Sequence, residues 1–417
     1  MSAVFPLTRH AALARWHEFL PTTPSYAARR NHVEAGHPHV SRLSPALRTR
    51  VILEDEIIAD TLAHHSLPSV EKWLQEVCWR RYWKGWLEMR PQVWTQYRQD
   101  LRTARQNLSA EQKARLNAIE QGEGGIAVMD HLAQELAASG YLHNHARMWF
   151  ASYWVHVERL PWELGADFFF RHLLDADPAS NTLSWRWVAG LQTRGKTYLV
   201  RRSNLEKYMA AHLLDDSTGL ELLEDDRVSP ALLPAPVETA PQPPPDFPTQ
   251  VPQLTTRFGL WLHPDDLCPE VGPLSQLRPT AIAAVTSAPA YTHFRLSLGR
   301  IQHLHTALAD ALTRSREYFA CPTTLEEAPT TADGLAAWAQ REQLRDIVAY
   351  APFVGPIADA LPQIRRRLTE VRCQLHFIRR PSDVEVHPLA KLGFFPFWEK
   401  MKARLESVHP QEGARPH

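Results

Sequence analysis

Two short stretches of the sequence place polar and aromatic side chains where they could bind a charged, flat ligand. Ser41, Arg42 and Ser44 open an apolar helical pattern, and donors at the start of a helix bind anions. The same run also suits an ordinary helix cap. Glu76 and Trp79 lie three residues apart and therefore share a helix face. The indole could stack on a ring beside the carboxylate, or both could belong to an aromatic core helix.

A third stretch, residues 168–190, combines two acids, an amide and two indoles. Its notable side chains are Asp175, Asp177, Asn181, Trp185 and Trp187. A buried carboxylate needs a cationic partner, because it would otherwise take up a proton. A local basic run follows, with Arg194, Lys196, Arg201 and Arg202. Such a cluster could engage nucleic-acid phosphates, and a solvated charged loop explains it as well.

Helices must position these three stretches. Apolar spacing predicts one helix that begins near Val70 and stops near Pro91, and another around Met129–Leu136 that ends at Gly140. Further helices are expected at about 143–159 and 162–174. After a proline-rich segment the pattern changes to short apolar runs between helical stretches, which indicates a parallel sheet covered by helices. The expected strands are 258–262, 281–285, 318–321, 347–350 and 374–378.

The length of 417 residues suits two domains. We expect an all-helical domain in residues 1–220, a proline-rich linker in 221–254 and a Rossmann-like α/β domain with five parallel strands in 255–417. The formal net charge is zero, so affinity for nucleic acid would need a local patch. The four cysteines are scattered without metal-ligand spacing, and we expect no metal site. No membrane span or secretory signal is evident, which favours a cytoplasmic protein.

Four segments, taken together and in order, resemble the FAD-binding domain of DNA photolyases and cryptochromes. They are YAARRNHVEAGHPHVSRLSPAL (26–47), WLQEVCWRRYW (73–83), GGIAVMDHLAQELAASGYLHNHARMWFAS (124–152) and FFFRHLLDADPASNTLSWRWVAG (168–190). Each segment alone is weak, but four in the family's order and spacing are specific. The resemblance implies FAD as cofactor. It also implies a diphosphate site formed by Tyr26, Val40, Ser41, Arg42, Leu43 and Ser44, with Val40 where the family often has Thr.

The resemblance also assigns residues around the flavin ring. Arg147 would pair with Asp175, and Arg80 would contact the flavin. Asp177 would lie near the N3 and O4 edge of the ring, and Asn181 near N5, where it would stabilise the reduced flavin. Trp185 and Trp162 match the first two members of the family's electron-transfer chain. The third member has no clear match, and Trp94, Tyr97, Trp149 and Trp154 are candidates.

The residues expected to face the substrate resemble those of enzymes that act on cyclobutane pyrimidine dimers. They are Glu76, Trp79, Asn144, Met148 and Trp187, and Asn144 would also contact the flavin. Enzymes for six-four photoproducts carry His at the positions of Asn144 and Met148. His143 and His145 are out of register with that pair, and we expect them to cap or bond the backbone.

The second half resembles the α/β antenna domain that usually precedes the flavin domain. FGLWLHPDDLCPE is similar to that domain's start, and FRLSLGRIQHLHTAL to a later helix. The sequence therefore suggests a circular permutation, with the α/β domain placed behind the linker. His263 and Cys268 depart from the family's opening motif, so a second, antenna chromophore remains an open question beside a purely structural role.

The leading functional prediction is light-driven repair of cyclobutane pyrimidine dimers by a monomeric, FAD-dependent lyase that binds UV-damaged DNA. One alternative is a cryptochrome-like light or redox sensor that binds FAD without repair. Another is a flavin protein that has lost light chemistry and serves as a binding module.

Overall fold

The first half of the chain is helical in the computed structural model, which describes residues 5–193, 196–233 and 239–408. The predicted apolar face at Trp73, Leu74 and Val77 is buried along the longest helix of this half. The helices are α1 (Arg9–Phe19), α2 (Tyr26–Arg29), α3 (Ser44–Arg48), α4 (Glu54–His64), α5 (Leu67–Glu88), α6 (Gln92–Asn107), α7 (Ala110–Gln121), α8 (Ala127–Ser139), α9 (Asn144–Ser152), α10 (Trp162–His172), α11 (Pro178–Val188) and α12 (Arg202–Tyr208).

The ends of three helices follow from their boundary residues. Gly140 closes α8 in the left-handed conformation, with φ of 68°, as its sequence position predicts. The Asp177 carboxylate accepts hydrogen bonds from the amides of Ala179 and Ser180 and so caps α11. The helix expected over 143–159 is shorter: α9 ends at Ser152, and a π-helical turn (Tyr153–Val157) follows it.

The second half contains the predicted five-stranded parallel sheet. The strands are β1 (Phe258–Leu262), β2 (Ala281–Thr286), β3 (Thr323–Glu327), β4 (Asp346–Tyr350) and β5 (Gln374–Ile378), in the order β3-β2-β1-β4-β5. The helices are α13 (Ala288–His293), α14 (Leu298–Phe319), α15 (Thr331–Arg341), α16 (Pro356–Glu370), α17 (Pro381–Val386) and α18 (Phe394–Val408). The prediction of an α/β domain with this sheet is therefore confirmed.

One strand was placed wrongly. The apolar run 318–321, expected as the third strand, belongs to the last turn of α14 and the residues after it, and Phe319 is buried there at helical spacing. The strand itself is the polar stretch TTLEE of β3. Because β3 lies at the edge of the sheet, its side chains are only partly buried and need not be apolar.

The two halves meet through buried ion pairs at the carboxyl end of β1. Arg48 contacts Asp265 at 3.0 Å, and Arg50 contacts Asp266 at 3.2 Å and Asp383 at 2.7 Å. Such pairs fix the relative position of the elements that carry them, because breaking one leaves a buried charge without a partner.

The last described residues return to the helical half instead of covering the sheet. The helix α18 buries Phe394, Phe397 and Trp398. Trp398 Nε1 donates to Glu71 Oε1 of α5 at 2.9 Å, and Tyr82 donates to the carbonyl of Leu392 at 2.9 Å. The predicted α/β segment 255–417 therefore includes a C-terminal part that packs on helices of the first half.

Three further findings concern only the described parts of the chain. None of the helices there is both long and apolar enough to cross a bilayer. Within those residues, no group of three His, Cys, Asp or Glu side chains is arranged to hold a metal ion. Cys78, Cys268 and Cys373 are buried free thiols.

Candidate functional site

A cavity of about 980 Å³ opens in the helical half, at the upper end of the volumes usual for ligand sites. Its walls come from α5, α9 and α11, from the segment 40–44, and from the C-terminal segment 391–396. Among the described residues, seven basic and three acidic side chains line it. The cavity is thus locally cationic in a chain of zero net charge, which suits an anionic ligand.

One side of the cavity contains the predicted diphosphate residues Tyr26, Val40, Ser41, Arg42 and Ser44. Arg15 holds this segment from behind, with its guanidinium donating to the carbonyls of Ser41 at 2.9 Å and Val40 at 3.2 Å. Leu43 is fully buried and does not line the cavity.

Arg42 supplies a test of whether this side fits a phosphate group. Its backbone is in the left-handed region, with φ of 60°, and its Nε atom is buried without a hydrogen-bond partner among the described residues. Burial lowers the pKa of Arg42. An anionic oxygen would satisfy the unpaired donor, so the residues present fit the diphosphate of FAD.

The opposite side is built around a buried ion pair. Arg147 donates to both oxygens of Asp175, at 3.0 and 2.9 Å, as expected. Burial alone would raise the pKa of Asp175, but the charge of Arg147 outweighs it and the pKa is lowered. Asn181 also lines the cavity and donates from Nδ2 to the carbonyl of Ala166 at 2.8 Å. Its Oδ1 acceptor is therefore the end of the amide available to a donor in the cavity.

Asp177 lies behind this wall and does not line the cavity. Its Oδ1 atom accepts from the first amides of α11, and its Oδ2 atom accepts from Arg80 Nη1 at 2.6 Å. Burial would raise the pKa of Asp177, but the charges of Arg80 and Lys84 lower it. A direct contact of Asp177 with the flavin ring stays a prediction, since its carboxylate already has these partners. Arg80 does line the cavity.

The five residues predicted to face a substrate all line the same cavity: Glu76, Trp79, Asn144, Met148 and Trp187. Glu76 is paired with Arg30 at 2.5 Å and with Lys72 at 3.1 Å. Trp79 stacks face to face on Phe394, with ring centroids 3.7 Å apart and planes 7° apart. A planar ligand can therefore stack on Trp79 only from its other face.

The two histidines beside Asn144 have structural roles, as predicted. His143 caps α9 by accepting a hydrogen bond from the amide of His145 at 3.1 Å. His145 Nδ1 is 3.0 Å from the carbonyl oxygen of Asn31. Burial lowers the pKa of His143 to about 3, so this imidazole is neutral at physiological pH.

Buried aromatic rings lead away from the cavity. Trp185 lines it, and its Nε1 atom lacks a partner among the described residues. A Cβ at position 165 would collide with this ring, which explains the glycine there. Trp162 lies outside the cavity, with its ring 5.5 Å from that of Tyr97, which is 5.5 Å from Trp94.

The other two candidates for the third electron carrier lie elsewhere. Trp154 touches Trp185 at 6.2 Å, and Trp149 stacks on His145. Of the four candidates, Tyr97 and Trp94 alone continue from Trp162 within the described rings.

The predicted basic run is only partly at the cavity. Lys196 lines it, whereas Arg201 and Arg202 do not. Arg201 donates to the carbonyl of Asp225, and Arg202 is paired with Glu206 and Glu224. Neighbouring groups already engage both arginines away from the cavity, and their role in binding DNA stays a prediction. Arg194 lies outside the described residues.

Sequence reasoning missed several cavity residues: Arg30, Lys72, Tyr141, Phe169, Lys391, Leu392, Phe394 and Phe395. Lys72 could have been found, because it lies four residues before Glu76 on the same helix. Arg30 and the residues 391–396 could not, because only the tertiary fold brings them to α5.

Comparisons with known proteins give a match over part of the helical half. Residues 73–212 match the family model described as the FAD binding domain of DNA photolyase. The match assigns this part of the chain, about a third of its length, to a photolyase-type FAD-binding domain. The matched domain type indicates FAD as the cofactor, and the cavity with its unpaired Arg42 and Trp185 donors fits that cofactor.

Individual relatives show the extent of the similarity. A deoxyribodipyrimidine photo-lyase of Salmonella typhimurium is 28% identical over 204 residues, which are 47% of this chain and 42% of that protein. One from Thermus thermophilus is 32% identical over 198 residues, covering 45% and 44%. A solved Synechocystis cryptochrome is 21% identical, with a TM-score of 0.43 over 53% of this chain and 49% of that one. The matched region thus spans less than half the length of these two curated relatives.

Proposed function

We propose that the protein uses FAD and light to repair cyclobutane pyrimidine dimers in DNA. The supporting observation is that one cavity contains both sets of predicted residues, those for the flavin ring and those for the lesion. When bound and reduced, FAD would supply an electron to the dimer on absorbing light and take it back after the ring splits, so that the reaction is redox-neutral. A dimer flipped out of the duplex would enter this cavity and lie beside the cofactor.

The chain's own residues would bind the cofactor and set its electrostatic environment. Arg42 and Ser41 would bind the diphosphate, and the Arg147–Asp175 pair would place a fixed dipole beside the ring. The Oδ1 atom of Asn181 would accept a hydrogen bond from a ring N–H of the reduced cofactor, because Nδ2 is held by Ala166. Trp185 would donate from its unpaired Nε1 and pass electrons inward.

The lesion side favours dimers that need no added proton. Asn144 and Met148 carry no acidic proton, and His143 is neutral and used as a helix cap. Glu76 would exchange its bonds to Arg30 and Lys72 for the edge of a pyrimidine. Trp79 and Trp187 would offer flat surfaces to the flipped bases.

The experiment is a repair assay with the full chain. We expect the purified protein to contain FAD and, after reduction, to restore a dimer-containing oligonucleotide under near-ultraviolet or blue light. A six-four oligonucleotide should stay unrepaired. Bound, reduced FAD without any repair of the dimer would refute the proposal.

A cryptochrome-like sensor is the second candidate. Two contacts favour it: Phe394 covers one face of Trp79, and Glu76 is engaged by two cations. Both would have to be compatible with lesion binding in a repair enzyme. Light-dependent changes in the flavin spectrum without affinity for dimer-containing DNA would favour the sensor.

We also propose that the chain is a circular permutant of the usual domain order, comprising 1–220, the linker 221–254 and the α/β domain from 255. The parallel sheet in the order β3-β2-β1-β4-β5 supports this.

The acids after β1 are engaged by Arg48 and Arg50, which supports a structural role for the α/β domain. A second chromophore would appear as an additional pigment after denaturing extraction. A monomeric, cytoplasmic protein completes the proposal.

A further inference from the structure

The turn between α10 and α11 holds two carboxylates close to the flavin cavity. Asp175 and Ala176 line the cavity, and Asp177 caps α11 directly behind it. The three residues are almost fully buried. The position of this turn therefore decides where both negative charges lie relative to the cofactor.

Two guanidinium groups converge on the carbonyl oxygen of Ala176. Arg48 donates to it from Nε at 3.1 Å, and Arg300 donates to it from Nη2 at 3.0 Å. Arg48 belongs to the helical half and is itself paired with Asp265 after β1. Arg300 belongs to α14 of the α/β domain, so this domain reaches the flavin-side turn directly.

Arg300 is held firmly where it stands. The amide of Ser297, the residue that caps α14, donates to the carbonyl of Arg171 at 2.9 Å and joins the helix start to α10. The guanidinium lies 4.3 Å from the ring centre of Phe170. Its Nε and Nη1 atoms are buried and have no partner among the described residues. Burying a guanidinium that makes a single hydrogen bond costs folding free energy. A function of Arg300 at the neighbouring site would explain why the fold tolerates this cost.

We propose that Arg300 is a positioning residue of the flavin site, which fixes the Asp175–Asp177 turn and contributes positive charge beside the reduced cofactor. Asp175 and Asp177 give the turn two negative charges. The Arg300 guanidinium offsets them because it is bonded to Ala176, the residue between the two acids. Positive charge near the cofactor stabilises its more negatively charged, reduced form and raises its reduction potential. The α/β domain thereby becomes part of the flavin site. The inference depends on FAD binding and is independent of DNA repair.

Three substitutions separate the charge of Arg300 from its hydrogen bond. R300M removes both, R300Q keeps a donor without charge, and R300K keeps the charge with a different geometry. The matched control is R316M, which removes an exposed arginine of the same helix. The midpoint potential of the bound flavin and the dissociation constant of FAD are measured on each full-length protein, with circular dichroism to confirm folding.

We expect R300M and R300Q to shift the reduced-to-oxidised ratio about tenfold toward the oxidised flavin, or about 30 mV for a two-electron couple. R300K should keep the wild-type potential, and R300M should also bind FAD several-fold more weakly. Potentials of folded R300Q and R300M equal to that of R316M would overturn the proposal. If R300M does not fold, R300Q against R300K decides the same question. A wild-type protein that binds no FAD would instead refute the flavin assignment.

Discussion

Removing Arg50 should weaken the contact between the two halves of the chain. Its guanidinium lies 2.7 Å from Asp383 and 3.2 Å from Asp266. Glu54 is 3.5 Å away, and the side chains of all four residues are 3% exposed or less. R50M would leave these carboxylates buried without their shared cation. Breaking a buried ion pair costs about 3–5 kcal/mol, and we expect the free energy of unfolding at pH 7 to fall by that amount.

The loss should depend on pH in a defined direction. Burial would raise the pKa of Glu54 and Asp383, but Arg50 outweighs it and lowers both. In the wild type, these carboxyls stabilise the fold above their unfolded pKa of about 4, and this contribution is lost as pH falls through their lower folded values. In R50M, Arg50 no longer offsets the effect of burial, so we expect the folded pKa values of Glu54 and Asp383 to rise. As the pH falls, the folded mutant then takes up protons at a higher pH than its unfolded state does. The stability difference from the wild type should therefore shrink from pH 7 to pH 5.

Urea denaturation followed by tryptophan fluorescence at both pH values measures this difference. The control is R404M, which breaks the exposed Arg404–Glu385 pair, with side chains 41% and 46% exposed. An exposed pair contributes less than about 1 kcal/mol. The reasoning is refuted if R50M loses no more stability than R404M, or if its deficit stays constant with pH.

Three further predictions concern the site. D177A should lower the free energy of unfolding by at least about 1 kcal/mol through loss of the α11 cap, and D177N, which keeps an acceptor, by less in the same urea titration. Y97F should slow photoreduction of bound flavin in absorption kinetics, because Tyr97 lies between Trp162 and Trp94; an unchanged rate would exclude this route. E76Q should weaken binding of dimer-containing DNA roughly tenfold at unchanged FAD content, as a charge-assisted bond is lost; equal affinity in a fluorescence-anisotropy titration would remove Glu76 from the substrate site.

Local sequence patterns were enough to predict α5 and α9, two of the helices that line the cavity, but not α11 or the segment 391–396. The apolar spacing of Trp73, Leu74 and Val77 gives the buried face of α5, and Gly140 ends α8. These are short-range effects of helix geometry and backbone conformation. The Arg147–Asp175 pair followed from the family resemblance, and the structure contains it.

Features that depend on tertiary neighbours were not predictable in the same way. The strand β3 is polar because it lies at the sheet edge, and strand order is not visible in a local pattern. Arg202 looked available as part of a basic run, but its acidic partner Glu224 comes from a separate segment. The Trp79–Phe394 stack and the Arg300–Ala176 bond likewise join residues from opposite halves of the chain.

The return of α18 to α5 has a consequence for the order of events during synthesis. Tyr82 and Leu392 are joined by a hydrogen bond across 310 residues of sequence. At the usual speed of translation, roughly 15–60 s pass between the emergence of these two partners from the ribosome. During that interval the cavity lacks the wall formed by residues 391–396, and Trp79 lacks its stacking partner. The helical half is made first, yet its binding site is complete only after residues 391–396 have been synthesised.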